Sequence, residues 1–206
     1  MTTGDDENSS HDSGARALSR RMLEARDHDA LNLLRQRDER GFELAYARYA
    51  QRVFGFLVRL SRSRAVAEDL LQHTFLRLAE AGPLLRPDSD LRAWLFTVAR
   101  NAFQSHLRAR GVAGRVEPEW LPAPPSSDPQ AGLELEALER ALARLGADDR
   151  ELLLLLGVEG LSYAEMADVL NVDVGTVRKR VSRARERLAQ VLDERAKVVR
   201  KSEVKP

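Results

Sequence analysis

Five prolines, Pro118, Pro122, Pro124, Pro125 and Pro129, fall within twelve consecutive residues of a 206-residue chain that holds eight in all. Proline lacks a backbone N–H and fixes its own φ, so neither a helix nor a central strand can run through this stretch. The chain must therefore fold as two units flanking a linker, which we place at 112–132. That division predicts an N-terminal domain over 28–111 and a C-terminal one over 133–195, with tails at 1–27 and 196–206. No internal repeat is visible.

Apolar spacing decides what the two units contain. Phe42, Tyr46, Tyr49, Val53, Phe56 and Leu60 are separated by four, three, four, three and four residues, one face of an α-helix. A shorter helix, about 30–36, precedes it. A second helix starts at a Ser suited to N-capping and stops at Gly82 before Pro83, burying Ala67, Leu70, Leu71, Thr74 and Leu78. A third begins after Ser89 and Asp90 and buries Leu91, Leu95, Val98, Ala102 and Phe103.

Beyond the linker, Leu135, Leu138, Leu142 and Leu145 form another apolar stripe. Asp148 with Glu151, and Ser162 with Glu165, have the spacing of capping boxes that open helices. The segment "NVDVGT" is a short polar turn, and in the helix after it Val177, Val181, Ala184 and Leu188 face inward. Thr176, Lys179, Ser182 and Arg183 then face outward. Two helices joined by a tight turn, the second basic on its free side, describe a helix-turn-helix. The expected fold class is all-α: two small helical domains joined by a Pro-rich flexible linker, the second containing a helix-turn-helix.

Lys plus Arg (33) and Asp plus Glu (32) nearly cancel, which excludes a uniformly basic surface but not local ones. Residues 1–13 carry four acids and no Lys or Arg, and read as a disordered tail. Residues 91–115 hold five arginines and no acid, 116–139 hold six acids and no base, and 174–188 set six bases against Glu186. Two basic segments with an acidic one between them suggest two separate contacts with a polyanion.

Several function classes drop out. With no cysteine there is no disulfide framework, thiolate zinc site or cysteine nucleophile. His11, His28, His73 and His106 are scattered without metal-ligand spacing, no glycine loop suits a phosphate, and no cofactor or enzyme activity is implied. The longest apolar run, Leu152 to Val158, is seven residues against the roughly 20 needed to cross a bilayer. No membrane insertion and a cytoplasmic location are expected.

"AVAEDLLQHTFLRL" followed by "LRAWLFTVARNAFQSHLRAR" resembles region 2 of the sigma-70 family, in its compact extracytoplasmic-function (ECF) group of bacterial RNA polymerase sigma factors. "LSYAEMADVLNVDVGTVRKRVSRARERL" resembles region 4.2 of the same family. The resemblance spans about Asp29 to Glu194. It implies an alternative sigma factor that binds RNA polymerase core, through the β′ coiled coil and the β flap, and directs initiation at −10 and −35 promoter elements. It also implies an anti-sigma factor as a further partner.

Carried over by motif, Thr176, Arg178, Lys179, Ser182 and Arg183 would contact the −35 duplex, with Arg178 nearer the side of the helix and suited to phosphate. Strand opening takes a base out of the stack and needs a pocket to receive it. By resemblance the loop "GPLLRPDSD" and the following helix supply it, with Arg86, Asp88, Ser89, Trp94, Arg100 and Asn101 as the −10 set. Trp94 has two readings, a core aromatic or a pocket wall. Ser105 stands where the family commonly has Asp. Glu68, Asp69 and Gln72 match the positions that dock on core, and a solvated helix face is the plain alternative for them. For the whole chain the rival is a helix-turn-helix regulator binding duplex operator without polymerase. An anti-sigma or scaffold protein is a third reading.

Overall fold

The computed structural model describes residues 27–109, 111 and 129–203. Most of the expected linker, 112–128, the N-terminal tail to residue 26 and residues 204–206 lie outside them. No strand occurs among the described residues.

The N-terminal unit is built from α1 (27–35), α2 (Glu39–Ser61), α3 (Arg64–Ala81) and α4 (Leu91–Ala109), with a 3₁₀ turn at Gly82–Leu84 before α4. Asp38 caps α2 by accepting from the Arg40 amide, and the Ser63 hydroxyl accepts from Val66 to start α3. Asp90 accepts from Ala93 at 2.9 Å and so opens α4. Gly41 lets α2 begin against α1, since a Cβ there would lie 2.5 Å from the Leu34 backbone nitrogen. Tyr49, Val53, Phe56 and Leu57 of α2 close on Leu78 of α3 and on Leu95, Phe96 and Phe103 of α4. Phe56 and Phe96 meet edge to face, centroids 5.4 Å apart. The Thr74 hydroxyl, buried among them, is satisfied by the Leu70 carbonyl at 2.7 Å.

Two details depart from the sequence reading. Tyr46 is 46% exposed because it sits at the margin of the α2 stripe, whose centre runs through Ala45, Tyr49, Val53 and Phe56; its ring rests on Phe42 and Phe75 at the surface. Leu71 of α3 and Val98 of α4, both expected inside, are only half-buried.

The C-terminal unit comprises α5 (Pro129–Arg144), α6 (Ala147–Leu153), α7 (Tyr163–Leu170) and α8 (Val174–Glu203). The Asp148–Glu151 capping box does not form: α6 starts earlier, after Gly146, and Glu151 is buried instead of reaching back to a cap. α6 widens into a π turn over Leu154–Val158, and Gly160 at φ 65° then reverses the chain toward α7. The Ser162–Glu165 capping box does form, with both reciprocal bonds present.

The two units are packed together, α7 against α4 and α6 against α2. Arg150 of α6 is buried and, among the described residues, has no carboxylate partner. It donates to the Leu142, Ala143 and Leu145 carbonyls at the end of α5, and to the Arg59 and Leu60 carbonyls near the end of α2. Burial, with the like charge of Arg62, lowers its pKa to about 10.

Glu151 faces Arg100 of α4 at 2.9 Å, with Asp148 and Arg180 also within electrostatic reach, and burial pushes its carboxyl from an ordinary 4.5 up to about 7. The packed state therefore binds a proton here that an opened or unfolded chain has already lost between those values. Its stability falls as pH rises through this window, by on the order of 1–3 kcal/mol for this group. Thermal unfolding should show a lower midpoint at pH 8 than at pH 6, and Glu151→Gln should flatten the difference. An unchanged slope in that variant would remove the assignment to Glu151.

Candidate nucleic-acid interface

The helix-turn-helix is assembled from its own apolar seam. Met166, Ala167, Val169 and Leu170 of α7 are buried together with Val177, Val181 and Ala184 of α8. Asn171 ends α7 in the left-handed conformation, φ 52°, and Val172 tucks half-buried against the core, its amide donating to the Ala167 carbonyl. Asp173 then starts α8: it accepts from the Thr176 amide at 2.7 Å and from the Thr176 hydroxyl. Those bonds hold the Asp173 carboxyl below its ordinary range.

That seam fixes which side of α8 is free. Arg178, Lys179, Arg180, Ser182, Arg183 and Arg185 are all exposed. Among the described residues neither Lys179 nor Arg183 has a carboxylate partner. The Arg178 guanidinium lies 6.0 Å from the Tyr163 ring centroid, so it leans toward α7 at the side of the helix. Ser182 donates to Glu186 at 3.2 Å, and the Thr176 hydroxyl is engaged in the cap. Arg187 is drawn away to Asp149 and ties α8 to α6. The result is a helix with a dry inner face and a cationic outer one, the form that enters a major groove.

In the N-terminal unit the loop 82–90 leads into α4 beside a pocket lined by Tyr49, Arg52, Pro87, Ser89, Arg92 and Glu165, among others. Arg86 and Asp88 are exposed and pair with each other at 3.0 Å, while Ser89 is half-buried on the pocket wall. Trp94 is half-buried and packed against the core. Asn101 is exposed and points elsewhere: with Asp69, His73, Arg77 and Ser105 it lines a groove between α3 and α4. Arg100 is turned to Glu151. Of the −10 set, Asp88 and Ser89 thus line one concavity and Asn101 another, while Arg100 faces the C-terminal unit. Glu68, Asp69 and Gln72 are exposed on α3, Glu68 paired with Arg64 at 2.9 Å.

Sequence reasoning missed Arg52, which pairs with Glu159 at 3.1 Å, and Arg92, which pairs with Glu165. Both were visible as bases on amphipathic helices, but nothing local says which carboxylate each meets.

Two family models match the chain: Sigma-70 region 2 over residues 45–112 and Sigma-70, region 4 over 135–188. The chain is 38% identical over 141 residues to the ECF RNA polymerase sigma factor EcfG of Rhodopseudomonas palustris, covering 66% of this chain and 77% of that protein. It is also 38% identical over 157 residues to the RNA polymerase sigma factor CarQ of Myxococcus xanthus, covering 74% and 90%. The chain belongs to the sigma-70 family, in its ECF group. As such a sigma factor it works with RNA polymerase core in promoter-specific transcription initiation. Two solved structures share the architecture. One is the sigma factor RpoE from Bartonella quintana in complex with the anti-sigma factor NepR (TM-score 0.61, 32% identical, 74% of this chain and 96% of that one). The other is CnrH in complex with the cytosolic domain of CnrY (TM-score 0.64, 25% identical, 82% and 98%). No helix among the described residues is long and apolar enough to cross a membrane.

Proposed function

We propose that residues 28–111 of this sigma factor dock on core polymerase and open the −10 element, while residues 133–195 hold the −35 element as duplex. One observation carries the reading: a helix-turn-helix with a cationic outer face shares one chain with a helical unit that carries a pocket beside the loop 82–90. Arg178, Lys179, Ser182 and Arg183 are the −35 contacts, with Thr176 positioning the start of the helix. Arg86, Asp88, Ser89, Trp94, Arg100 and Asn101 serve the −10 element. The protein acts in the cytoplasm, where promoter DNA is, and performs no chemistry of its own. An anti-sigma factor is a partner on this reading, supported by the similar structure of RpoE bound to the anti-sigma factor NepR.

In vitro transcription with core polymerase and a genomic DNA pool, with start sites mapped, tests the proposal. It expects starts at a common pair of spaced elements only when the protein is added. Gel shifts on the recovered promoters, with and without core, separate it from an operator-binding regulator, which would bind as tightly alone.

Glu68, Asp69 and Gln72 form the core-docking face. Asp69→Ala with Gln72→Ala should weaken core affinity by about tenfold, on the order of 1.4 kcal/mol. Both side chains are exposed, so the helical content should stay as it is. Wild-type affinity in the double variant would return this surface to ordinary solvated helix.

A further inference from the structure

The loop 82–90 forms one wall of the pocket before α4 through Pro87, Asp88, Ser89 and Asp90, yet little of the loop is packed. Leu84, Arg86, Pro87 and Asp88 are exposed, Leu84 at 81%. A segment with so few buried contacts keeps one shape only where something outside it fixes its backbone. Its first turn is stiff by composition: Pro83 starts the 3₁₀ turn, which closes with the Leu85 amide on the Gly82 carbonyl at 3.2 Å. A second turn, from the Ser89 amide to the Arg86 carbonyl at 3.1 Å, carries the pocket wall. Between the two stands Leu85, extended at φ −64° and ψ 146°, and its orientation sets the direction of the second turn.

α1 holds that joint. The Arg35 Nε–H donates to the Leu85 carbonyl at 3.0 Å, across 50 residues of sequence. Leu34, the residue before it, is buried beneath Gly82, where a Cβ would come within 3.2 Å of the Leu34 Cδ2. The Leu85 side chain packs against the core from the other side. The support is itself firm. Arg37 turns the chain at φ 60°, and the Arg37 and Asp38 amides donate to the Leu34 and Leu33 carbonyls, each at 3.0 Å. Gly41 then lets α2 close on that corner. Two consecutive residues at the end of α1 thus meet the loop, one by packing and one by a hydrogen bond.

We propose that Arg35 is a positioning residue for strand opening: its Nε–H holds the loop 82–90 in the shape that receives the displaced base, while Arg35 itself touches no DNA. The inference rests on the assignment of this loop to the −10 element. A loop that samples several shapes receives the base only in the fraction of molecules that have the right one. The bond to Leu85 uses Nε, so what the position requires is an N–H at that distance from the backbone, not a positive charge.

The test uses the full-length protein with core polymerase, on a promoter recovered by the start-site mapping above. A 2-aminopurine in the nontemplate strand of its −10 element reports unstacking by fluorescence. Two substitutions separate the bond from the charge. Arg35→Met removes the donor, whereas Arg35→Gln removes the charge but carries an amide N–H as many bonds from the backbone as Nε. Arg35 is exposed, so neither should disturb the helical content. Arg35→Met should slow the fluorescence rise about fivefold, the effect of one hydrogen bond on a local equilibrium, and Arg35→Gln should stay within about twofold of wild type. On a template premelted across the −10 element, where no base has to be unstacked, transcription by Arg35→Met should return to within about twofold of wild type. Wild-type opening by Arg35→Met overturns the role of Arg35. So does an equal loss in both variants, the mark of a charge acting on phosphate, or a defect that persists on the premelted template. Absence of the unstacking signal from the wild type itself would sink the −10 assignment instead.

Discussion

Replacing Arg178, Lys179 and Arg183 together with Ala is expected to reduce transcription from −35-dependent promoters by more than ~100-fold, since each base-directed Arg or Lys is worth about 1–3 kcal/mol of discrimination. The fold should survive, because all three side chains are exposed and the seam of Val177, Val181 and Ala184 beneath them is untouched. The single variants should differ in kind. Arg178 leans on Tyr163 at the side of α8, so its loss should weaken binding on all sequences and lower the salt slope by about one. Lys179 and Arg183 project from the outer face, and their loss should relax the choice of −35 sequence. In vitro transcription with core on a −35 mutant promoter set reads both effects. Retained selectivity in the triple variant would remove α8 from promoter recognition.

The second large effect is on stability. Arg150→Met should lower the unfolding free energy by roughly 3 kcal/mol, because the carbonyls it satisfies stay buried without a donor. In a chain of this size that is a fall of roughly 6–12 °C in midpoint, readable by circular dichroism. Met fits the volume, so the loss reports the guanidinium and not a cavity. Arg150→Lys should recover only part of it, since one ammonium cannot fan out to the Leu142, Leu145 and Leu60 carbonyls at once. A midpoint for Arg150→Met within about 2 °C of wild type would show that water reaches those carbonyls.

Periodicity alone carried the local structure. Each amphipathic stripe, the Ser63 and Ser162 caps and the turn through Asn171 and Val172 are determined by residues within one or two helical turns of each other. Reading α8 needed only the step between Val177, Val181 and Ala184, because burying those three leaves Lys179 and Arg183 no other place but solvent. The two family regions were legible for the same reason: their motifs are contiguous. Tyr46 and Glu151 were misread where a local pattern had two outcomes. A stripe has margins, and an Asp followed three residues later by Glu can cap a helix or merely begin one.

What the amino-acid sequence by itself determined is therefore the set of helices, their inner faces and the chemistry of the outer ones. The tertiary structure decided the pairing of the two units. Arg52 meets Glu159 across 107 residues, Arg92 meets Glu165 across 73, and Arg150 finds carbonyls on two helix ends. In the sequence each of these is one charge among 65 acids and bases, and Coulomb attraction has no periodicity to mark its partner. Only when apolar faces have been buried, and α6 and α7 laid on α2 and α4, do those charges have a single place to go.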